Sequence, residues 1–192
     1  MQRDKKLLIF FCWIGALIFS FLLDKPFFGF ISLIRNKFLD NIVIWIGNYI
    51  TGFIILFLIT SLFLWEERKR EWLPVLWISF LISFLLSLFF KNIFLRERPS
   101  IIMPLVKETG YSFTSNHSAV AFSSLAVLDR EFKLIKWFWI LFVMLIAFSR
   151  IYLGVHYLSD VVGGAFLGTY VGKGLVFLEE KYKIFKRFFK KR

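Results

Sequence analysis

Six apolar runs, each near the length needed to cross a bilayer as a helix, dominate this sequence of 192 residues. A helix needs about 20 apolar residues to span the hydrocarbon core, and the fourth run reaches that length only if it extends to Phe132. We therefore predict an all-α fold, a six-transmembrane-helix bundle forming a single domain over residues 1–192. The predicted spans are Leu7–Leu23, Ile42–Leu64, Pro74–Leu95, Asn116–Leu128, Leu134–Ile151 and Tyr157–Leu178.

The composition favours an integral membrane protein over a soluble one. The chain is 58% hydrophobic and yet carries a formal charge of +12, and a soluble domain of this length could not bury so much apolar surface. The first run follows the charged stretch QRDKK, as a signal peptide would. No small-residue cleavage site comes after it, so we interpret it as an uncleaved anchor.

The distribution of Lys and Arg predicts the orientation. These residues lie between the apolar runs and at both ends, as on the flanks of membrane helices, which argues against nucleic acid as a partner. The side that carries both termini holds 16 of them and the opposite side holds 8. The positive-inside rule therefore places both termini in the cytoplasm. The motif SRIYLGVHYLSD then faces outward, which for a bacterial inner membrane means the periplasm.

The stretch KPFFGFISLIRNKFLD, residues 25–40, predicts an amphipathic helix between the first and second spans. Its apolar residues recur at helical spacing and its polar residues fall on other faces. Such a helix is typical of a segment lying in the outer membrane interface. An ordinary connecting helix is the alternative.

Two cations follow each other at the outer end of the third span, in KNIFLRERP. Lys91 and Arg98 are seven residues apart, so they lie within about 20° on one helix face. Like charges placed so close repel unless an anion lies near both, which indicates an anion site. The alternative is that both extend to lipid headgroups, and we interpret Arg96, on another face, as such a bystander.

The next stretch, YSFTSNHS, places a histidine at the start of a helix. Thr114 or Ser115 is a plausible N-cap for a helix beginning near Asn116. His117 would then lie in the first turn, where free backbone N–H groups and the helix dipole favour a bound anion. A structural histidine is the alternative for His117 considered alone.

The motif SRIYLGVHYLSD, residues 149–160, joins the fifth span to the sixth. Asp160 lies four residues after His156, hence one turn further on the same helix face. An Asp that accepts a hydrogen bond from one imidazole nitrogen fixes the tautomer and leaves the other nitrogen as a nucleophile. A structural salt bridge between Asp160 and Arg150 is the alternative.

Taken together, these stretches resemble the type 2 phosphatidic acid phosphatase superfamily, membrane lipid phosphatases related to vanadium haloperoxidases. KNIFLRERP has the form K-x6-R-P, TSNH resembles P-S-G-H, and the last motif has the form S-R-x5-H-x3-D. The middle motif departs from the family, because Thr114 replaces its Pro and Asn116 replaces its Gly. That Gly allows the backbone to approach a phosphate closely, so the change puts substrate fit in doubt more than the chemistry.

The resemblance implies a role for each matched residue. His156 attacks phosphorus and forms a phosphohistidine, Asp160 orients it, and His117 protonates the leaving oxygen and later activates water. The resemblance also implies that Lys91, Arg98 and Arg150 hold the phosphate oxygens, with added hydrogen bonds from Ser115 and from the backbone at Asn116, which stands at the position of the family's Gly. No cofactor and no metal are expected, because the acidic residues predicted on the outer side do not cluster as a two-metal site requires.

The expected activity is hydrolysis of a phosphate monoester, or a pyrophosphate, from a membrane lipid at the periplasmic face. Resemblance to bacterial members favours lipid A 1-phosphate or phosphatidylglycerophosphate, with undecaprenyl pyrophosphate and phosphatidic acid as alternatives. A small membrane transporter is the alternative outside enzymes. It would more naturally place ionisable residues or a broken helix at the bilayer midplane. The oligomeric state stays open.

Overall fold

The computed structural model describes residues 2–48, 54–66, 69–132 and 135–190, and every regular element in those residues is a helix. This confirms the predicted all-α class. A π-helical segment, Ile54–Ile59, precedes α3, and a 3₁₀ turn, Arg70–Trp72, precedes α4. The helices are α1 Gln2–Ile34, α2 Lys37–Ile46, α3 Thr60–Glu66, α4 Leu73–Phe94, α5 Asn116–Glu131, α6 Lys136–Tyr152, α7 Leu158–Tyr182 and α8 Ile184–Lys190.

Within the described residues, three helical segments are long and apolar enough to cross a membrane, namely Leu7–Ile34, Arg70–Phe94 and Leu158–Tyr182. They correspond to the first, third and sixth predicted spans. The fourth and fifth predicted spans are the helices α5 and α6, of 16 and 17 residues. The second falls partly on residues 49–53, outside the described residues, so the count of six spans stays a prediction.

The region after the first predicted span differs from the prediction. Helix α1 continues to Ile34 through both Asp24 and Pro26, so the separate helix predicted over residues 25–40 is wrong in its bounds. Asp24 does not end the helix because its buried carboxylate accepts hydrogen bonds from Arg96 and Ser159. Helix α2 starts only three residues after α1 ends, and the placement of this region in the outer interface stays a prediction.

Helices α5 and α7 form the most extensive helix contact among the described elements, and a row of glycines permits it. Glycines four residues apart on α7 face the backbone of α5 and of its N-terminal cap. Small residues at this spacing let two membrane helices approach closely. A Cβ atom would press against a backbone oxygen at each position: Gly164 against Ser115, Gly168 against Ala119 and Gly172 against Ser123.

Helix α4 packs against α5 through a row of serines. Ser79, Ser83 and Ser87 lie four residues apart and are fully buried. Ser123 donates a hydrogen bond from its Oγ to Ser79 Oγ at 3.4 Å, and Ser87 Oγ donates to Asn116 Oδ1 at 2.6 Å. This packing places the first turn of α5 beside the C-terminal end of α4 and the N-terminal end of α7, where the predicted site residues lie.

Candidate active site

The N-terminus of α5 is capped as the sequence predicts. Ser115 is the N-cap, and its Oγ accepts hydrogen bonds from Ser118 N at 3.4 Å and from Ser118 Oγ at 3.1 Å. Its own backbone N–H donates to Asp160 O at 3.0 Å, which ties this cap to α7. Asn116 and His117 follow in the first turn, the position predicted to favour an anion.

A tight turn between α6 and α7 presents His156. The N–H groups of Val155 and His156 both donate to Arg150 O at 3.3 Å, closing the turn on the end of α6. Gly154 adopts φ +76°, a conformation that strains other residues. A Cβ there would also lie 3.1 Å from Arg35 Nη2. The glycine in SRIYLGVHYLSD is therefore required by the turn that aims the histidine.

Asp160 holds His156 from one side. The carboxylate Oδ2 lies 3.4 Å from His156 Nδ1 and accepts a hydrogen bond from Tyr157 N at 2.8 Å, as part of a capping box at the start of α7. Arg98 Nη1 lies 3.4 Å from the other ring nitrogen, His156 Nε2. Since a guanidinium only donates and a carboxylate accepts, the two contacts match a neutral ring protonated on Nδ1.

The burial of His156 agrees with this assignment. The side chain is 3% exposed, and burial lowers the pKa of His156 to about 4. The cations Lys91 and Arg150 act in the same direction, whereas the hydrogen bond and charge of Asp160 oppose them. At neutral pH the imidazole is therefore uncharged, with a lone pair on Nε2, which is the form a nucleophile needs.

Lys91 and Arg98 shape the connection between α4 and α5 around His156. Lys91 donates from Nζ to the carbonyl oxygens of Tyr111 at 2.6 Å and Ser112 at 3.1 Å. Arg98 donates to three further carbonyls, of residues 109, 110 and 155, at 2.9 to 3.0 Å. Arg98 thus lies beside His156 and Lys91 lines the same cavity, while both cations also fix the backbone that surrounds the site.

Arg150 is almost completely buried, at 1% exposure, and pairs with a residue that the sequence did not single out. Its Nη1 donates to Gly47 O at 2.8 Å, and its Nη2 pairs with the carboxylate of Glu108. The same carboxylate lies 3.6 Å from Arg98 Nη2. Glu108 therefore places a negative charge between two of the cations predicted to bind phosphate.

A cavity of about 320 Å³ lies at this end of the helices. It brings together five of the eight predicted site residues and also exposes Glu108. The other three predicted site residues are buried beside the cavity and hold the residues of its wall through the contacts described above. They are Ser115, Arg150 and Asp160. The predicted residues that line the cavity are Lys91, Arg98, Asn116, His117 and His156.

Arg96 and Asp24 are functional candidates that sequence reasoning missed. Arg96 donates from Nη1 to Asp160 Oδ1 and from Nη2 to Asp24 Oδ2, both at 2.7 Å. The interpretation of Arg96 as a bystander is therefore wrong, and so is the alternative that pairs Asp160 with Arg150. The signal available in the sequence was Asp24 itself, an acidic residue in an apolar helix, which is costly to bury without a partner.

Carboxylates near the cavity are occupied by arginines. Asp24 and Asp160 bind Arg96, and Glu108 binds Arg150 and approaches Arg98. In the part of the chain that the structure describes, no group of three His, Cys, Asp or Glu side chains is arranged to hold a metal ion.

Comparison with known proteins gives the family. The PAP2 superfamily profile matches residues 71–183, which is more than half of the chain and includes every predicted site residue. An undecaprenyl-diphosphatase of Sulfolobus acidocaldarius is 32% identical over 121 residues. That alignment covers 59% of this chain and spans 58% of the relative's own length.

Two crystal structures share the fold. The transmembrane PAP2-type phosphatidylglycerolphosphate phosphatase of Bacillus subtilis matches with a TM-score of 0.75 at 27% identity, covering 96% of this chain and 100% of that one. LpxE of Aquifex aeolicus matches with a TM-score of 0.70 at 29% identity, covering 80% of this chain and 94% of that one. The predicted resemblance and the membrane character are thereby confirmed, and the chain belongs to the PAP2 superfamily.

Proposed function

We propose that this chain is a membrane lipid phosphatase that hydrolyses a phosphate monoester, or a diphosphate, without a metal and through a phosphohistidine on His156. The observation that carries the proposal is the state of His156: a buried, neutral imidazole, oriented by Asp160 and facing a cavity walled by cations. That arrangement serves attack on a phosphorus atom, because the nucleophile is uncharged and the oxygens it approaches meet positive charge.

In the first step, His156 Nε2 forms a bond to phosphorus and the bond to the lipid oxygen breaks. The ring becomes positively charged, and Asp160 stabilises it through the proton on Nδ1. His117, in the same cavity, takes up a proton when the negatively charged phosphate binds beside it, and it donates that proton to the leaving oxygen, so the lipid departs as an alcohol. When the substrate is a diphosphate, the departing group is the lipid monophosphate.

In the second step, His117 accepts a proton from a water molecule that attacks the phosphohistidine. Inorganic phosphate leaves and His156 returns to its neutral form. Lys91 and Arg98 hold the phosphate oxygens on which charge spreads in both transition states. Arg150 also binds these oxygens when the phosphate displaces Glu108 from it. The N-terminus of α5, which Ser115 caps, directs the backbone N–H groups of its first turn, including that of Asn116, at the same charge.

Three cations and the helix N-terminus already supply the positive charge that a metal would supply in a two-metal phosphatase. Each neighbouring carboxylate is engaged by arginine. We therefore expect phosphate release to be unaffected by EDTA.

A lipid substrate is supported by the position of the cavity at the ends of apolar helices, where a lipid phosphate would lie at headgroup depth if these helices span the membrane. Similarity along almost the whole chain to a phosphatidylglycerolphosphate phosphatase favours phosphatidylglycerophosphate. Lipid A 1-phosphate stays the other preferred candidate, and the relative named undecaprenyl-diphosphatase supports undecaprenyl pyrophosphate as an alternative beside phosphatidic acid. We place the protein in a bacterial inner membrane, with cytoplasmic termini and a periplasmic site.

Replacement of His156 by Ala tests the function. Purified wild-type protein in detergent is given each of the four lipid phosphates, with and without EDTA, and phosphate release is measured. We expect the His156→Ala variant to lose at least about 10³-fold in rate, since removal of a nucleophile abolishes the covalent route. A phosphate label carried by the substrate should be trapped on the wild-type protein under alkaline quench and be absent from the variant.

The matched control is Lys107→Gln, which removes a charge from the exposed part of the loop that carries Glu108. It should release phosphate at the wild-type rate. Equal release by the wild-type protein and by His156→Ala would contradict the enzymatic mechanism, and a requirement for Mg²⁺ would contradict its metal-free form.

A further inference from the structure

We propose that Arg96 is a positioning residue for the hydrolysis proposed above: it fixes the Asp160 carboxylate that orients His156 and joins it to Asp24 of the first helix. The inference rests on the proposed function, since it concerns the alignment of the same nucleophile. Arg96 makes no contact with His156 among those the structure describes, so its influence has to pass through Asp160.

The guanidinium of Arg96 bridges helices α1 and α7. Nη1 donates to Asp160 Oδ1 at 2.7 Å and to Ser159 Oγ at 2.6 Å, and Nη2 donates to Asp24 Oδ2 at 2.7 Å. The planar group also lies over the Tyr157 ring, 4.0 Å from its centroid. Arginine presents several donors in one rigid plane, which a lysine cannot reproduce. The side chain therefore has one geometry that satisfies all these partners.

Asp24 is the second half of the connection. Its Oδ1 accepts a hydrogen bond from Ser159 N at 2.9 Å, and its Oδ2 accepts one from Ser159 Oγ at 2.7 Å. Ser159 lies in the first turn of α7, so Asp24 satisfies one of the backbone N–H groups left open at a helix start. Asp160 satisfies another, that of Tyr157. Two carboxylates thus meet at one helix N-terminus, and Arg96 lies between them and offsets their repulsion.

This arrangement fixes the orientation of the catalytic carboxylate. Asp160 Oδ1 is taken by Arg96, whereas Oδ2 faces Tyr157 N and His156 Nδ1. With both oxygens assigned, the carboxylate cannot rotate to present another edge to the imidazole. A misplacement of about 1 Å at a reacting group can cost about 10²-fold in rate. Arg96 therefore acts on catalysis by holding the partner of the nucleophile in position.

A structural role alone would be to dock α1 on α7, and two substitutions separate it from the positioning role. Asp24→Asn breaks the ion pair with Arg96 and leaves the Arg96–Asp160 contact in place. Arg96→Gln removes both contacts. If only docking mattered, Asp24→Asn, which also disturbs the contacts of Asp24 with Ser159, would lose at least as much stability and activity as Arg96→Gln, with no change in how activity depends on pH.

The pH dependence of kcat/KM is a second measurement, and it would stay unchanged if Arg96 only docked α1 on α7. As pH falls through the pKa of His156, near 4, protonation removes the lone pair on Nε2 and kcat/KM falls. Without Arg96, Asp160 loses a competing cation and attracts the protonated ring more strongly, so this acid limb should move to higher pH. Among the described residues, the charged or titratable groups that contact His156 or surround the same cavity are Asp160 from α7, Lys91 from α4, His117 from α5, Arg150 from α6, and Arg98, Glu108 and Tyr111 from the loop after α4.

The experiment compares the full-length wild type, Arg96→Gln, Arg96→Lys, Asp24→Asn and the control Lys107→Gln in detergent. The substrate is the lipid phosphate that the wild type hydrolyses fastest, and kcat, KM, the pH profile and the melting temperature are measured. For Arg96→Gln we expect a fall in kcat of about 10²-fold with KM changed little, and an acid limb displaced upward. Arg96→Lys should recover part of kcat, and Asp24→Asn should lose less than Arg96→Gln.

Each other outcome overturns the proposal. An Arg96→Gln protein with the kcat and acid limb of Lys107→Gln shows that Arg96 does not position Asp160. A loss of activity in Asp24→Asn at least as large as that in Arg96→Gln, with an unmoved acid limb in both, shows that Arg96 only docks α1. If Arg96→Gln fails to fold, the test rests on Arg96→Lys. An Arg96→Lys protein with the kcat and the pH profile of the wild type would contradict the proposal. A wild type that releases no phosphate overturns the proposed function, and this inference falls with it.

Discussion

The helix ends that surround the cavity and the bodies of the same helices are held together by different means. Around the cavity, charged side chains contact backbone carbonyls and carboxylates, as Lys91, Arg96 and Arg98 each do. Between the bodies of α4, α5 and α7, small residues allow the helices to approach closely, with glycines on α7 and serines on α4. One region is fixed by directional polar contacts and the other by close packing.

The difference separates the residues that position chemistry from the residues that hold the fold. A substitution around the cavity should lower the rate by more than its effect on the melting temperature accounts for. A substitution between the helix bodies should lower the melting temperature first, and the rate only as far as the helix ends are displaced. Measuring both quantities for each variant tests this separation.

Among the residues around His156, the largest effect is expected at Arg98, which donates hydrogen bonds to three backbone carbonyls of the site wall. Arg98→Ala should lower kcat/KM by about 10²–10³-fold, since loss of one donor to a developing oxyanion typically costs that much. Arg98→Lys should recover little, because an ammonium cannot reproduce the planar fork. Steady-state kinetics with the preferred lipid phosphate measure kcat/KM for both variants. A loss of activity that the fall in melting temperature fully accounts for would contradict the separation between positioning residues and residues that hold the fold.

An intermediate effect is expected at Gly168, in the middle of the α5–α7 contact. The Cβ of Gly168→Ala would press against the backbone oxygen of Ala119, so the helices must separate. Overpacking of this kind costs about 1–3 kcal/mol, which thermal unfolding in detergent should record as a lower melting temperature. Gly174→Ala is the matched control on the same helix, because nothing lies within 4 Å of its Cβ. Equal melting of the two variants would show that the close approach does not stabilise the fold.

The smallest effect is expected at Glu108, whose carboxylate lies between Arg98 and Arg150. A substrate phosphate has to compete with it for those cations. Glu108→Gln removes the negative charge and keeps the size of the side chain, so KM should fall by about 3–10-fold, near 1 kcal/mol. Inhibition by inorganic phosphate should strengthen to the same extent. An increase in KM would instead show that the carboxylate contributes to substrate binding.

The motifs allowed much of the site to be predicted because their chemistry is local. His156 and Asp160 lie four residues apart on one face, and the capping role of Ser115 follows from a hydroxyl before a helix. Lys91 and Arg98 were placed on one side of a single helix, and both line the cavity. The helix in fact ends at Phe94, so Arg98 reaches the cavity from the following loop.

The remainder depends on contacts across long stretches of sequence. Asp24 and Ser159 are 135 residues apart, and Arg96 and Asp24 are 72 apart. Periodicity within one helix cannot reveal such partners. The first predicted span ended at Leu23 for the same reason, because Asp24 and Pro26 are typical of a helix end when no buried partner for the carboxylate is known.

The bond between Asp24 and the start of α7 joins two apolar helices whose contacting residues lie 135 positions apart in the chain. Until α7 enters the bilayer, Asp24 and Arg96 can pair with each other and keep their charges neutralised, while His156 has no aligned carboxylate. Hydrolytic competence would thus arise only once α7 has been inserted, and a translation product truncated before residue 158 would reach the membrane without attacking its lipids.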